Sequence, residues 1–139
     1  MSSMDETVEK ILRGYDTITV VGASNAAEKP ACYVPAHMRE HGWQIVPVNP
    51  RGGEILGVPA YESLAQVPDP GLVNVFRPSA QTPDIARQAV AAGASALWLQ
   101  LHIASDEARS IAEAAGLLYV ENRCLIVEQR RLGLDAPEL

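Results

Sequence analysis

The chain is short of cysteine, of long apolar runs and of positive charge, and each shortage removes a class of function. Two cysteines, Cys32 and Cys124, are too few for the disulfide framework of a small secreted domain and fall in neither C-x-x-C nor zinc spacing. Both are expected as reduced thiols, one or both buried. No apolar run approaches the roughly 18 residues that cross a bilayer. The first ten residues carry Asp5, Glu6 and Glu9 where a secretory signal needs an apolar core. The expectation is a cytoplasmic protein with no membrane partner. Against 17 Asp and Glu stand only 11 Lys and Arg, a net charge of −6. Nonspecific nucleic acid binding depends on a basic surface, so no nucleic acid partner is expected and any anion site must be local.

What is present is an ordinary globular composition, 47% hydrophobic and 20% charged, in 139 residues. That length suits a single domain over residues 1–139 with one core. Ser3-Met4-Asp5-Glu6 fits a capping box, and Val8, Ile11, Leu12 and Tyr15 recur at helical spacing, which predicts a helix over 4–13. Thr17 to Val21 is a β-branched run ending at Gly22. A helix is expected between Ala31 and His41, with Pro30 and Pro35 at its entrance or first turn and Gly42 at its end. Ile45 to Val48 reads as a second strand, Gly52-Gly53 as a turn, and Ile55 to Leu64 as a loop with a short helix. Leu72 to Phe76 gives a third strand, Thr82-Pro83-Asp84 a helix start running to Gly93, and Ala96 to Leu99 a fourth strand. Ser105 caps a helix ending near Gly116, and Leu117 to Val120 gives a fifth strand.

Alternating strands and helices require right-handed parallel crossovers. The fold class expected is α/β: a Rossmann-like, doubly wound, mainly parallel five-stranded sheet with helices on both faces. Ligands of such sheets bind outside the carboxyl ends of the strands, where strand order reverses. At the end of the second strand a NAD-type site shows an acid that accepts from the ribose 2′-hydroxyl. This chain has Asn49-Pro50-Arg51 there instead. A guanidinium suits a phosphate ester on the ribose, which points to the 3′-phospho-ADP of coenzyme A or the 2′-phosphate of NADP.

Five loop motifs occur in order: Val21-Gly22-Ala23-Ser24, Val48-Asn49-Pro50-Arg51, Val75-Phe76-Arg77-Pro78, Trp98-Leu99-Gln100 and Asn122-Arg123-Cys124. In this the chain resembles the small bacterial CoA-binding-domain proteins over nearly its whole length. It is also similar to the CoA-binding Rossmann domain of the succinyl-CoA synthetase alpha subunit. There a Pro-Gly-Lys-Gly-Gly turn followed by Leu-Gly-x-Pro corresponds to Pro50-Arg51-Gly52-Gly53 and Leu56-Gly57-Val58-Pro59. The resemblance implies that Gly22, Ala23 and Ser24 approach the CoA phosphates and that Asn49, Pro50 and Arg51 hold the phosphorylated adenosine. Phe76, Arg77 and Pro78 would border the nucleotide and pantetheine track, with Gln100 beside them. Many relatives carry Gly two residues after that glutamine, where this chain has His102. The synthetase's catalytic phosphohistidine belongs to another domain.

The function implied is binding of nucleotide-type ligands, coenzyme A or acyl-CoA, without catalysis. The alternatives are an NADP-dependent oxidoreductase, a CoA-ligase component acting with a partner chain, and a nucleotide-sensing protein with a protein partner or a homo-oligomeric state. Among other residues, His37 and His41 sit one helical turn apart but lack a third metal ligand, so they read as surface or helix-end residues. His102 is the histidine best placed for a site. No Ser-His-Asp set surrounds Ser24. Arg77 has the alternative of pairing with an acid on the following helix. Arg123 would lower the Cys124 thiol pKa if its charge faced it, the alternative being a packed thiol. Trp43 and Trp98 read as core or interface aromatics.

Overall fold

The computed structural model describes residues 3–139, Ser3 by its backbone alone. In chain order its elements are α1 (Ser3–Gly14), β1 (Thr17–Val21), α2 (Pro30–Glu40), β2 (Gln44–Val48), β3 (Glu54–Ile55), β4 (Val58–Pro59), β5 (Leu72–Val75), α3 (Thr82–Ala91), β6 (Ala96–Leu99), α4 (Asp106–Ala114), β7 (Leu118–Val120) and α5 (Leu125–Leu132). Five strands form one sheet in the order β2-β1-β5-β6-β7, and all four pairings are parallel. The doubly wound α/β fold expected from the sequence is therefore present. The chain leaves β1 for β2 on one side and returns past β1 to β5 on the other. Strand order thus reverses between β1 and β5, where such sheets place their ligands.

Successive strand residues face opposite sides, so each face collects its own core. On one face α1, α2 and α5 cover Ile18, Val20, Leu72, Trp98 and Val120 with Ile11, Leu12, Val34, Met38 and Leu125. On the other, Ile85, Ala86 and Ala89 of α3 and Ala108 and Ala112 of α4 cover Val73, Val75, Leu97 and Leu99. Trp43 and Trp98 are buried, and their indole N–H groups donate to the Tyr15 and Arg123 carbonyls at 2.7 and 2.8 Å. Cys32 is buried and Cys124 half-buried, neither in a disulfide. Ser105 caps α4 as expected, its hydroxyl accepting from the Ala108 N–H. The expected cap of α1, the Ser3 side chain, lies outside the described residues. No described helix is long and apolar enough to cross a membrane.

Three local features differ from expectation. Pro35 lies within α2, beyond its first turn, and leaves the Ala31 carbonyl without its helical donor. Residues 54–59 form a two-stranded antiparallel hairpin whose turn residues, Leu56 and Gly57, have φ of +55° and +75°, the left-handed pair that a two-residue hairpin turn requires. The third is α5 itself, closed at Gly133 (φ +64°), whose N–H donates to the Gln129 carbonyl.

Helix α5 is fastened to α1 through a buried acid. Glu128, 5% exposed, accepts from Arg123 at 3.1 Å and Arg131 at 2.9 Å, while Arg123 also donates to Asp5 at 2.8 Å. The Arg123 hydrogen bond holds the Asp5 carboxyl below its ordinary 3.8. That stabilisation is present above the ordinary value and is lost as pH falls through the lower folded one. Glu128→Ala leaves Arg123 half-buried without its inner partner and should destabilise the fold by about 2 to 3 kcal/mol at neutral pH. A urea midpoint unchanged from the wild type would remove this network from the account of stability.

Candidate binding site at the carboxyl edge of the sheet

Parallel register puts the loop motifs in one row. Val21 pairs with Val48 and with Val75, and Val75 pairs with Leu99. The next residue of each strand, Asn49, Gly22, Phe76 and Gln100, therefore stands at one level along the carboxyl edge. The ladder continues one step into the loops: the Gly22 N–H donates to the Val48 carbonyl, Phe76 to Val21 and Gln100 to Val75, at 2.9 to 3.2 Å.

The structure gives the glycine turn a different physical reason from ligand approach. Gly22 has φ +87°, and a Cβ there would lie 2.9 Å from the Phe76 carbonyl oxygen and 2.9 Å from Cδ of Arg77. Its N–H is already used. So is that of Ser24, which donates to the Ala31 carbonyl that Pro35 leaves free. The Ser24 hydroxyl accepts from the Ala26 N–H, tightening the loop. Of the three, Ala23 alone keeps an N–H without a partner among the described residues. The loop delivers Lys29 and the start of α2 to the same cleft, and a helix N-terminus favours an anion.

Asn49 builds the next wall. Its side chain donates to the Ala23 carbonyl at 3.0 Å and accepts from the Arg51 N–H at 2.9 Å, while its carbonyl accepts from Gly52. Asn, Pro and Gly at the first, second and fourth positions are what such a turn favours, and the turn presents Arg51 to the cleft. The hairpin β3–β4 is clamped beside it: Asn25 donates to the Glu54 carbonyl and accepts from the Leu56 N–H, and Arg39 donates to the Leu56 carbonyl at 2.7 Å.

Among the described residues Lys10, Arg39 and Arg130 stand outside the cleft without an ion pair, and the other cations divide between paired arginines and the cleft. Arg13, Arg87, Arg109, Arg123 and Arg131 each lie against a carboxylate. Lys29, Arg51 and Arg77 line the cleft, and none has an ion-pair partner among the described residues. Arg77 donates to the neutral Gln81 amide at 3.0 Å, and the helix acid Asp84 is engaged by Gln88 instead. One acid, Glu62, faces the three.

Two adjoining pockets result. The larger, of about 650 Å³, is lined by Gly22, Ala23, Ser24, Asn49, Pro50, Arg51, Phe76 and Arg77 together with an apolar wall of Val48, Leu64 and Ile85. The smaller, of about 350 Å³, is lined by Pro78 and Gln100 and shares Lys29, Ala31, Phe76 and Arg77 with the first. Both fall within the size range of small-molecule sites. Sequence reasoning missed Lys29, whose signal was a cation one residue before a proline at a helix start. It also missed Leu64 and Ile85, which the crossover from β2 to β5 and helix α3 bring to the cleft.

The remaining candidates lie elsewhere. His102 lines neither pocket, and its N–H donates to the Asn122 side chain. Its φ of +71° explains why glycine suits that position. Cys124 also lines neither pocket, and Arg123 spends its charge on Asp5 and Glu128. His37 and His41 stack at the end of α2, bonded to Gln129 and Asp135. Among the described residues no cluster of three metal-ligating side chains occurs.

Known proteins are similar to this chain over most of its length. The family model described as "CoA binding domain" matches residues 16–130. An uncharacterized Bacillus subtilis (strain 168) protein, YneT, is 33% identical over 121 residues, covering 86% of this chain and 90% of its own. A hypothetical protein from Pyrococcus horikoshii OT3 is 38% identical, with a TM-score of 0.87 over 92% of this chain and 91% of that one. The fold also recurs, at 20% identity and a TM-score of 0.68, in 27% of the dinucleotide-forming acetyl-coenzyme A synthetase 1 of Ca. Korarchaeum cryptofilum, with 83% of this chain covered.

The tight approach at Gly22 generates a stability prediction. Gly22→Ala adds a Cβ against the Phe76 carbonyl at a left-handed φ and should destabilise the fold by about 2 to 4 kcal/mol. Urea unfolding reads this directly. A variant as stable as the wild type would show that the 76–77 loop yields easily and does not need the glycine.

Proposed function

The chain belongs to the CoA-binding-domain family, and from that premise we propose that it binds coenzyme A in the cleft at the carboxyl edge of its sheet. The observation that carries this reading is the trio Lys29, Arg51 and Arg77, cations without ion-pair partners among the described residues, around one cleft in a chain of net charge −6. A local cluster of this kind focuses an anion that the overall charge repels. Coenzyme A presents anionic charge at its 3′-phosphate and at its pyrophosphate, one beside the ribose and one along the arm.

Arg51, held out by the Asn49-Pro50 turn, takes the 3′-phosphate. The Ala23 N–H, Lys29 and the first turn of α2 take the pyrophosphate, with Gly22 and Ser24 shaping the loop. Val48, Leu64 and Ile85 offer the adenine ring an apolar wall. Phe76, Arg77 and Pro78 border the pantetheine arm as it passes toward Gln100. In this reading residues 1–139 act as one cytoplasmic binding unit without chemistry of their own. NADP shares the phosphorylated ribose but has no flexible arm for the smaller, apolar pocket, and that pocket favours coenzyme A.

Calorimetry with CoA, dephospho-CoA and NADP tests the assignment. An exposed guanidinium contributes at the low end for a charge-assisted contact, about 1.5 kcal/mol, so CoA should bind roughly tenfold tighter than dephospho-CoA. Arg51→Ala should remove most of that difference. Equal affinities of the wild type for the two ligands would sink the assignment of Arg51, and tighter binding of NADP than of CoA would sink the ligand.

A further inference from the structure

The smaller pocket has a chemistry that the nucleotide does not need. Its walls are Pro30, Ala31, Phe76, Pro78, Leu101 and Ile103, with Lys29 and Arg77 at the border it shares with the larger one. Its one neutral polar side chain is Gln100, only 3% exposed. A primary amide in an apolar pocket is held by its surroundings, and here they also fix which end points where. Asn74, fully buried beneath it in β5, donates from Nδ2 to the Trp98 carbonyl at 3.3 Å, and the same Nδ2 faces Gln100 Oε1 at 3.4 Å. The Leu125 N–H at the start of α5 also donates to Gln100 Oε1, at 3.5 Å.

With two donors on its oxygen, Gln100 keeps Nε2 for something else. Nε2 has no hydrogen-bond partner among the described residues. It is also not a buried atom, since the only buried side-chain polar atom lacking a partner among the described residues is Asn74 Oδ1. An accessible amide donor at an otherwise apolar surface selects for a ligand acceptor. The amide carbonyls of the pantetheine arm are common to CoA and acyl-CoA, so the two differ at the terminus alone, where a free thiol is only a weak acceptor and a thioester carbonyl a strong one.

We propose that this pocket holds the thioester end of a short-chain acyl-CoA, with Gln100 Nε2 donating to the thioester carbonyl and Leu101, Ile103 and Phe76 covering the acyl group. The protein then distinguishes acyl-CoA from free CoA. This rests on the CoA-binding reading above and adds to it the class of ligand. Asn74 acts as a positioning residue, through Gln100 rather than on the ligand.

The test is the ratio of affinities for acetyl-CoA and butyryl-CoA to that for CoA, by calorimetry. One neutral hydrogen bond corresponds to a preference of about three- to tenfold for the acyl forms in the wild type. Gln100→Glu keeps an oxygen for Asn74 and Leu125 but turns the donor into an acceptor, so the ratio should fall below one. Ile103→Trp fills the pocket and leaves Gln100 in place, so the butyryl-CoA ratio should fall toward one even if Gln100→Glu does not fold. A wild-type ratio of one, or a ratio that survives in either folded variant, overturns the thioester site while CoA binding stands. Failure of the wild type to bind CoA at all would overturn the family-based reading, and the thioester site with it.

Discussion

The register of four parallel strands is the constraint on which the site depends. Because Val48, Val21, Val75 and Leu99 pair in line, Asn49, Gly22, Phe76 and Gln100 leave the sheet side by side. A slip of one residue in any pair would turn that strand's core residues to the other face, so the two hydrophobic cores hold the row in place. The close approach of the β1 and β5 loops follows from this, and Gly22 is the residue that permits it. The Ala31 carbonyl freed by Pro35 then receives the Ser24 N–H, tying the loop to the body of α2.

On this frame the charges are sorted rather than balanced. Acids outnumber bases, yet the cations away from the edge are mostly matched with carboxylates, and those at the edge are not. Arg77 shows the sorting clearly: an acid stands in the first turn of α3, but Gln88 occupies it and Arg77 is left with a neutral amide. An anionic ligand therefore meets three cations, unpaired among the described residues, gathered around one cleft of an acidic protein. Beside it lies the apolar pocket with Gln100, where charge gives way to a single neutral donor.

Much of the fold was legible in the sequence because its signals are local. A β-branched run marked β1, a run of strand type after Gly71 marked β5, Ser105 marked the start of α4, and the alternation of strands and helices implied the parallel sheet. The site motifs were legible because each follows a strand directly. What stayed hidden depended on distant partners. Helix α5 has no side-chain cap and owes its place to Glu128 and the arginines around it. The hairpin needs Leu56 in a conformation usually left to glycine, held by Asn25 and Arg39 from elsewhere in the chain. Pro35 was misplaced because nothing local shows that Ser24 will take up the carbonyl it frees. Lys29 reads as a loop cation until α2 carries it beside Arg77.

The central claim is that one row of strand-end loops forms a CoA site, and amide chemical shifts of the uniformly nitrogen-15-labelled protein titrated with CoA test it most directly. The account predicts saturable shifts concentrated at Ala23, Lys29, Arg51 and Arg77, with the amides of α1 and of the opposite, amino-terminal edge of the sheet unmoved. Shifts centred away from these four loop residues, or no saturable shifts at all, would contradict it.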